Sequence, residues 1–290
     1  MNQGNDVHRE LWVAEQAAND SARRKLRFGE QLLPIHIPAG SRHDDVIRLP
    51  GFGRKAPFSW SAPFRSRQNG DLLVALQVFP DAVTPAIPSP NPLDPGDQQL
   101  ETWIRAKYEW AKRKLGEHVT TPGRLPAAAI AELFNQHGWR GVTEALEPHL
   151  NAHRYKVTIC PSRSIAAAGQ CKPNWVMCGQ DIVERSYKIL IHENYLNNPF
   201  CVAAILAHEL CHVLYAERLR DGAFHSYEPS VMQEVSREEE LTVDLLVFLH
   251  GLGEFQMRVA RQENFTLGYF SQDNFERMQR IITRLHCETG

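Results

Sequence analysis

His208-Glu209-Leu210-Cys211-His212 places two imidazoles four positions apart, with a carboxylate directly after the first. On a helix, positions i and i+4 lie one above the other, about 5–6 Å apart, so both rings can reach a single metal ion. Glu209 sits one residue round from that seam, where its carboxylate can take a proton from a water held by the ion. The surrounding segment is apolar. Phe200-Cys201-Val202-Ala203-Ala204-Ile205-Leu206-Ala207 precedes the motif, led by Asn198 as a helix cap and Pro199 at the first helical position. Val213, Leu214 and Tyr215 carry the helix on to about Arg218, apolar nearly all round, as expected of a helix crossing the middle of a domain. Cys211 faces away from the histidine seam and reads, like Tyr215, as a core residue. Two histidines and a glutamate buried there without partners would be costly, and a metal removes that cost.

The pattern HExxH is a zinc-binding one, and a catalytic zinc takes three protein ligands and keeps one position open. Downstream, residues 237–249 begin acidic and turn apolar, which reads as a second buried helix with Ser236 as its cap. Within it Glu240 and Asp244 form an ExxxD pair on one face. Here the chain resembles the gluzincin metallopeptidases, in which HExxH supplies two ligands and the Glu of a later ExxxD helix supplies the third. The resemblance implies zinc held by His208, His212 and Glu240, with Asp244 orienting a ligand histidine from behind. It also implies Glu209 as the general base of peptide-bond hydrolysis. The helical face agrees: Glu240 lies about 40° from Asp244 round the helix, Glu239 about 140° and Glu238 about 120° on the other side. A helix dipole accounts for acidic residues in the first turn, but not for Asp244 between Val243 and Leu245.

The resemblance spans roughly residues 187–286 and has gaps. A third His at the metzincin spacing is absent, as is the GxMEN signature of the large aminopeptidases, and Val243 stands where many membrane-associated members carry Ala. The subfamily stays open. Residues 187–193, Tyr-Lys-Ile-Leu-Ile-His-Glu, resemble the zincin strand that precedes the active-site helix, edges the cleft and can pair with an extended peptide. Residues 219–235 contain Asp221-Gly222 and Glu228-Pro229 and read as a loop hanging over the metal. His225 and Tyr227 are its best donors for stabilising an oxyanion. The expected activity is that of a zinc endopeptidase acting on a peptide or protein substrate. Its rivals are a non-catalytic zincin-fold binding or regulatory protein, and a zinc hydrolase of a non-peptide amide. An exposed strand edge beside the metal favours peptides, and a closed pocket favours a small molecule.

Composition bounds the remainder. The chain has 290 residues, 43% of them hydrophobic, and a net charge of −2, enough for one large core or two modest ones and without the basic stripe of a nucleic-acid binder. No run of 18 consecutive apolar residues occurs, and the polar start Met1-Asn2-Gln3-Gly4-Asn5-Asp6 lacks the features of a signal peptide. The expectation is a cytoplasmic protein with no membrane partner. Its six cysteines then read as thiols. Cys160, Cys171 and Cys178 form an irregular cluster without a CxxC pair, leaving open a second metal there.

Two regions are expected: residues 1–97, ending in a Pro-rich linker over 85–96, and a catalytic domain over 98–290. In the first, residues 8–27 read as helix and 71–79 as a buried strand after an Asn69-Gly70 turn. In the second, helices are expected over 99–116, 127–137, 142–150 and 272–286, the last capped by Ser271, with a strand over 155–160 and a Gly- and Cys-containing connection up to residue 187. Gly251-Leu252-Gly253 marks a turn. The fold class is α+β: a zincin-like domain with a small sheet flanked by helices, plus the Pro-rich N-terminal region.

Overall fold

The computed structural model describes residues 6–54, 70–81, 95–116, 119, 123, 125–178, 181–219, 237–262 and 272–289. The protein is mixed α/β, with small sheets flanked by helices. Its packing divides it into two units: Met1–Ala82 with Ala131–His137, and Val83–Ile130 with Gly138–Gly290.

The first unit contains β1 (Val7–Ala14), a short helix α1 (Glu15–Asn19), β2 (Ala22–Phe28), β3 (Gln31–Ile37), β4 (Val46–Leu49) and β5 (Leu72–Phe79). Strand β5 lies between β1 and β4, parallel to β1 and antiparallel to β4, while β2 and β3 form a separate hairpin. The strand expected over 71–79 is therefore β5, with Leu72, Val74 and Leu76 in the core. The helix expected over 8–27 is not formed. Two strands and one helical turn occupy it, because Leu11, Val13 and Leu26 reach a common core with Leu33, Ile35 and Ile37 only from extended backbone. The amide of Asn135 fastens β1, accepting from Trp12 N at 3.0 Å and donating to Trp12 O at 2.7 Å.

The second unit contains α2 (Pro95–Leu115), α4 (Trp139–His149) and the strands β6 (Lys156–Ser162), β7 (Gly169–Cys178) and β8 (Asp181–His192). Helix α3 (Ala127–His137) begins in this unit and ends in the other. Helices α5 (Pro199–Leu214), α6 (Arg237–Leu249), α7 (Gly253–Gln262) and α8 (Gln272–Thr289) follow. The sheet order is β6-β8-β7, with β6 parallel and β7 antiparallel to β8. The connection expected before residue 187 is thus β7 and the first half of β8. Strand β8 is the central strand, so the segment over 187–193 does not offer an edge. Among the described residues the edges of this sheet are β6 and β7, and Pro173 is tolerated in β7 because only an edge strand can spare an N–H.

Helix α5 is the spine of this unit. Asn198 Oδ1 accepts from the Phe200 and Cys201 amides at 2.9 and 3.2 Å, with Pro199 following at N1. Every residue from Pro199 to Leu214 except His212 is buried, and the helix runs on through a π-turn over Tyr215–Leu219. By length and composition Pro199–Arg218 could cross a membrane, with mean hydropathy 1.5, but 83% of that window is buried inside the protein. Helix α5 packs on α4, α6, α7 and the sheet, whose Tyr187, Ile189 and Ile191 form the buried face of β8. Helix α7 was hidden in the sequence by Gln256 and Arg258, both buried. Arg258 pairs with Glu254 at 2.6 Å and lies over the Phe200 ring at 5.2 Å.

Candidate metal centre

Two buried helices meet at the expected residues. His208 and His212 rise from the same face of α5, with ring centroids 4.9 Å apart, and Glu240 approaches them from α6. His208 Nε2 lies 3.2 Å from His212 Nε2 and 3.1 Å from Glu240 Oε2, and His212 Nε2 lies 3.5 Å from the same Glu240 oxygen. An ion with ligands at about 2.0–2.2 Å in tetrahedral array separates them by about 3.3–3.6 Å, so the spacing of the three atoms suits a small divalent cation.

The donor chemistry makes the same demand. His208 Nδ1 lies 3.0 Å from Asp244 Oδ1, a fully buried carboxylate, so this nitrogen carries the ring proton. In a neutral ring the lone pair of Nε2 then faces a Glu240 carboxylate oxygen and the His212 nitrogen. Acceptors facing one another need either extra protons or a cation. Without a metal, protons fill the role. Burial disfavours the charged His208 ring, but the hydrogen bonds to Asp244 and Glu240 outweigh it and push its pKa up to about 10. His212 is likewise pushed up to about 9, burial being overcome by Glu239 and Glu240. Burial would raise Glu240, yet the two histidines bring it down to about 2. The His-His-Glu group can hold a metal ion.

Glu209 stands beside this group and outside it. It is buried, and burial raises its carboxyl pKa, an effect that the charges of His208 and His212 and a hydrogen bond from the Cys171 backbone N–H oppose. Asp244 has a further partner in Gln256 Nε2 of α7, at 3.4 Å.

One neighbour departs from the helical-face argument. Glu239, expected to point away, places Oε1 3.6 Å from His212 Nδ1, an ion-pair contact longer than a hydrogen bond. Each histidine thus has a carboxylate behind its outer nitrogen. Gly169 and Cys171, on the strand beside Glu209, were likewise missed by sequence reasoning. The available signal was a glycine within a strand, which marks a close approach. His225 and Tyr227 lie outside the described residues, as does nearly all of the loop over 219–235.

Of the suggested cysteine cluster, Cys160 and Cys171 are not brought together, and the Cys178 side chain lies outside the described residues. Cys160 pairs with Leu190 and Cys171 with Ile189, so the two side chains project from opposite faces of the sheet. Among the described residues, His208, His212 and Glu240 form the one group with ligand geometry. No family model matches the chain, and no curated protein matches it.

Proposed function

We propose that this chain is a zinc-dependent peptidase that cuts within peptide chains. The observation that carries the reading is the convergence of His208 Nε2, His212 Nε2 and Glu240 Oε2 beside a buried carboxylate, Glu209, that stands outside the ligand group. When bound there, zinc supplies Lewis acidity, polarising a carbonyl and making water acidic near neutral pH. Glu209 takes the proton of the attacking water and passes it to the departing amine nitrogen. Burial suits it to this, because a carboxylate held above its ordinary pKa is a stronger base. Asp244 holds the His208 ring in the tautomer that leaves Nε2 free to ligate.

A peptide substrate is favoured by the edge of β7. His192 N donates to Ala168 O, so in the antiparallel alternation residues 170 and 172 bond to β8 while 169, 171 and 173 turn their backbone groups outward. Gly169, at one of these outward positions, lies against Glu209, where an extended chain can add as a strand.

The test is incubation of the zinc-loaded protein with casein, followed by mass spectrometry of the fragments. Internal cleavage that stops with a chelator, returns with zinc and is missing in Glu209→Gln supports the reading. A wild-type protein that holds one zinc and leaves casein intact refutes it.

A further inference from the structure

Gly169 has negative φ, so it is not glycine for the sake of an unusual backbone conformation. It is glycine for space. A Cβ at this position would lie 2.5 Å from Ile205 Cγ2, 2.6 Å from Glu209 Oε1 and 3.0 Å from Glu209 Cγ. Ile205 and Glu209 are four residues apart on α5, on the face that packs against β7. Two residues along, the Cys171 backbone N–H turns outward from β8 and lies near enough to the Glu209 carboxylate to oppose the rise in pKa that burial causes. The strand therefore offers Glu209 a slot and, at the slot's next outward position, a nearby backbone N–H.

We propose that Gly169 and the Cys171 backbone N–H are positioning elements for Glu209: the missing side chain is the space in which the carboxylate lies, and the amide fixes its orientation toward the metal centre. The consequence for catalysis rests on the reading of Glu209 as general base; the slot itself does not. A side chain at 169 displaces the carboxylate by about an ångström, a shift that costs about 100-fold when it falls on a reacting group.

Two variant sets test this in the full-length protein. In the first, Gly169→Ala is made alone and combined with Ile205→Ala or Glu209→Ala. Melting of the metal-free proteins is compared with that of each parent. Zinc content, kcat and KM are measured on a quenched fluorogenic peptide carrying a casein sequence that the wild type cuts. Ile205→Ala makes room in the helix but leaves the carboxylate conflict; Glu209→Ala does the converse. The expected result is that Gly169→Ala/Ile205→Ala keeps its zinc and still melts below Ile205→Ala, by less than the loss that Gly169→Ala causes alone, with a kcat 10- to 100-fold lower at similar KM. The melting loss caused by Gly169→Ala should also shrink by at least half in the Glu209→Ala background. Recovery of kcat in the Ile205→Ala pair, or an unchanged melting loss without Glu209, overturns the proposal. In the second set, Cys171→Pro removes the outward N–H with no loss to the sheet ladder, as Pro173 already does at the next outward position, and Cys171→Ala controls for the thiol. Loss of kcat in the proline variant alone, with zinc retained, is expected; equal kcat in both overturns the role of the amide. If the zinc-loaded wild type cleaves nothing, the proposed function fails while the melting cycle still reads the slot.

Discussion

Removing Asp244 separates what holds the metal from what orients its ligands. Its Oδ1 lies 3.0 Å from His208 Nδ1, and the residue is wholly buried. Asp244→Ala leaves a buried ring N–H without its acceptor, a defect of about 1–3 kcal/mol. That agrees with the 10- to 100-fold loss of metal affinity, about 1.4–2.7 kcal/mol, typical of losing such a partner. Glu239 is a useful contrast. At 3.6 Å from His212 Nδ1, with its side chain 17% exposed, its contribution is that of a weak ion pair, about 0.2–1 kcal/mol or at most about fivefold. Proton competition acts against the Asp244 effect. The carboxylate also raises the proton affinity of His208, so its removal leaves less proton for the metal to displace, and the observed loss is smaller at pH 7 than at pH 9. Competition with a chromophoric chelator at the two pH values measures it. Asp244→Ala within threefold of wild type at pH 9, or a larger loss in Glu239→Ala, refutes the reasoning.

Glu209→Gln should keep its zinc and lose about 10²- to 10⁴-fold in turnover, read by metal analysis and casein cleavage together. His208 and His212, raised from 6.5 to about 10 and about 9, hold protons at neutral pH in the metal-free protein. Zinc binding should therefore release protons, seen calorimetrically as a dependence on buffer ionisation enthalpy, and tighten as pH rises toward about 9. For the same reason the stabilisation from these raised pKa values is complete below pH 6.5 and lost as pH rises through about 9 to 10, so the metal-free melting temperature should fall there. Gly253→Ala would put a Cβ 2.2 Å from the Phe248 ring, which is stacked on Phe275, and should cost about 1–3 kcal/mol in chemical denaturation. Tyr227→Phe and His225→Ala should each lower kcat by about 10²- to 10³-fold at unchanged KM if that residue stabilises the oxyanion; wild-type kcat in both removes the loop from the chemistry.

What could be read in advance was local. Asn198 and Pro199 mark the start of α5 because a cap and a ring-fixed φ act within one turn, and Glu240 with Asp244 follows from the helical period alone. The first strands were not legible. Val7–Ala14 and Ala22–Phe28 are rich in Glu, Ala, Arg and Leu, good helix formers, and β2 buries only Leu26 fully, so the alternation that betrays a strand is faint until β5 and β3 pair with them. Strand β7 was obscured by Gly169 and Pro173, which weaken a central strand but suit this edge. Glu239 shows the limit of reasoning by face: the angle fixes where Cβ points, whereas a glutamate is long enough to turn its carboxylate toward the second histidine.

The balance of charge at the two-helix junction bears on the order in which products leave. Glu209, Glu239, Glu240 and Asp244 all interact with the histidine pair, so a divalent cation between neutral imidazoles leaves the centre negative. In the proposed reaction a peptide amide would enter without charge and be cut into an acid and an amine. The acid fragment would then be repelled by the carboxylates around it and depart first, and the amine, once protonated, would be retained. Inhibition by product should accordingly come from the fragment bearing the new amino terminus, and neutral amide analogues should occupy the site more tightly than their free acids.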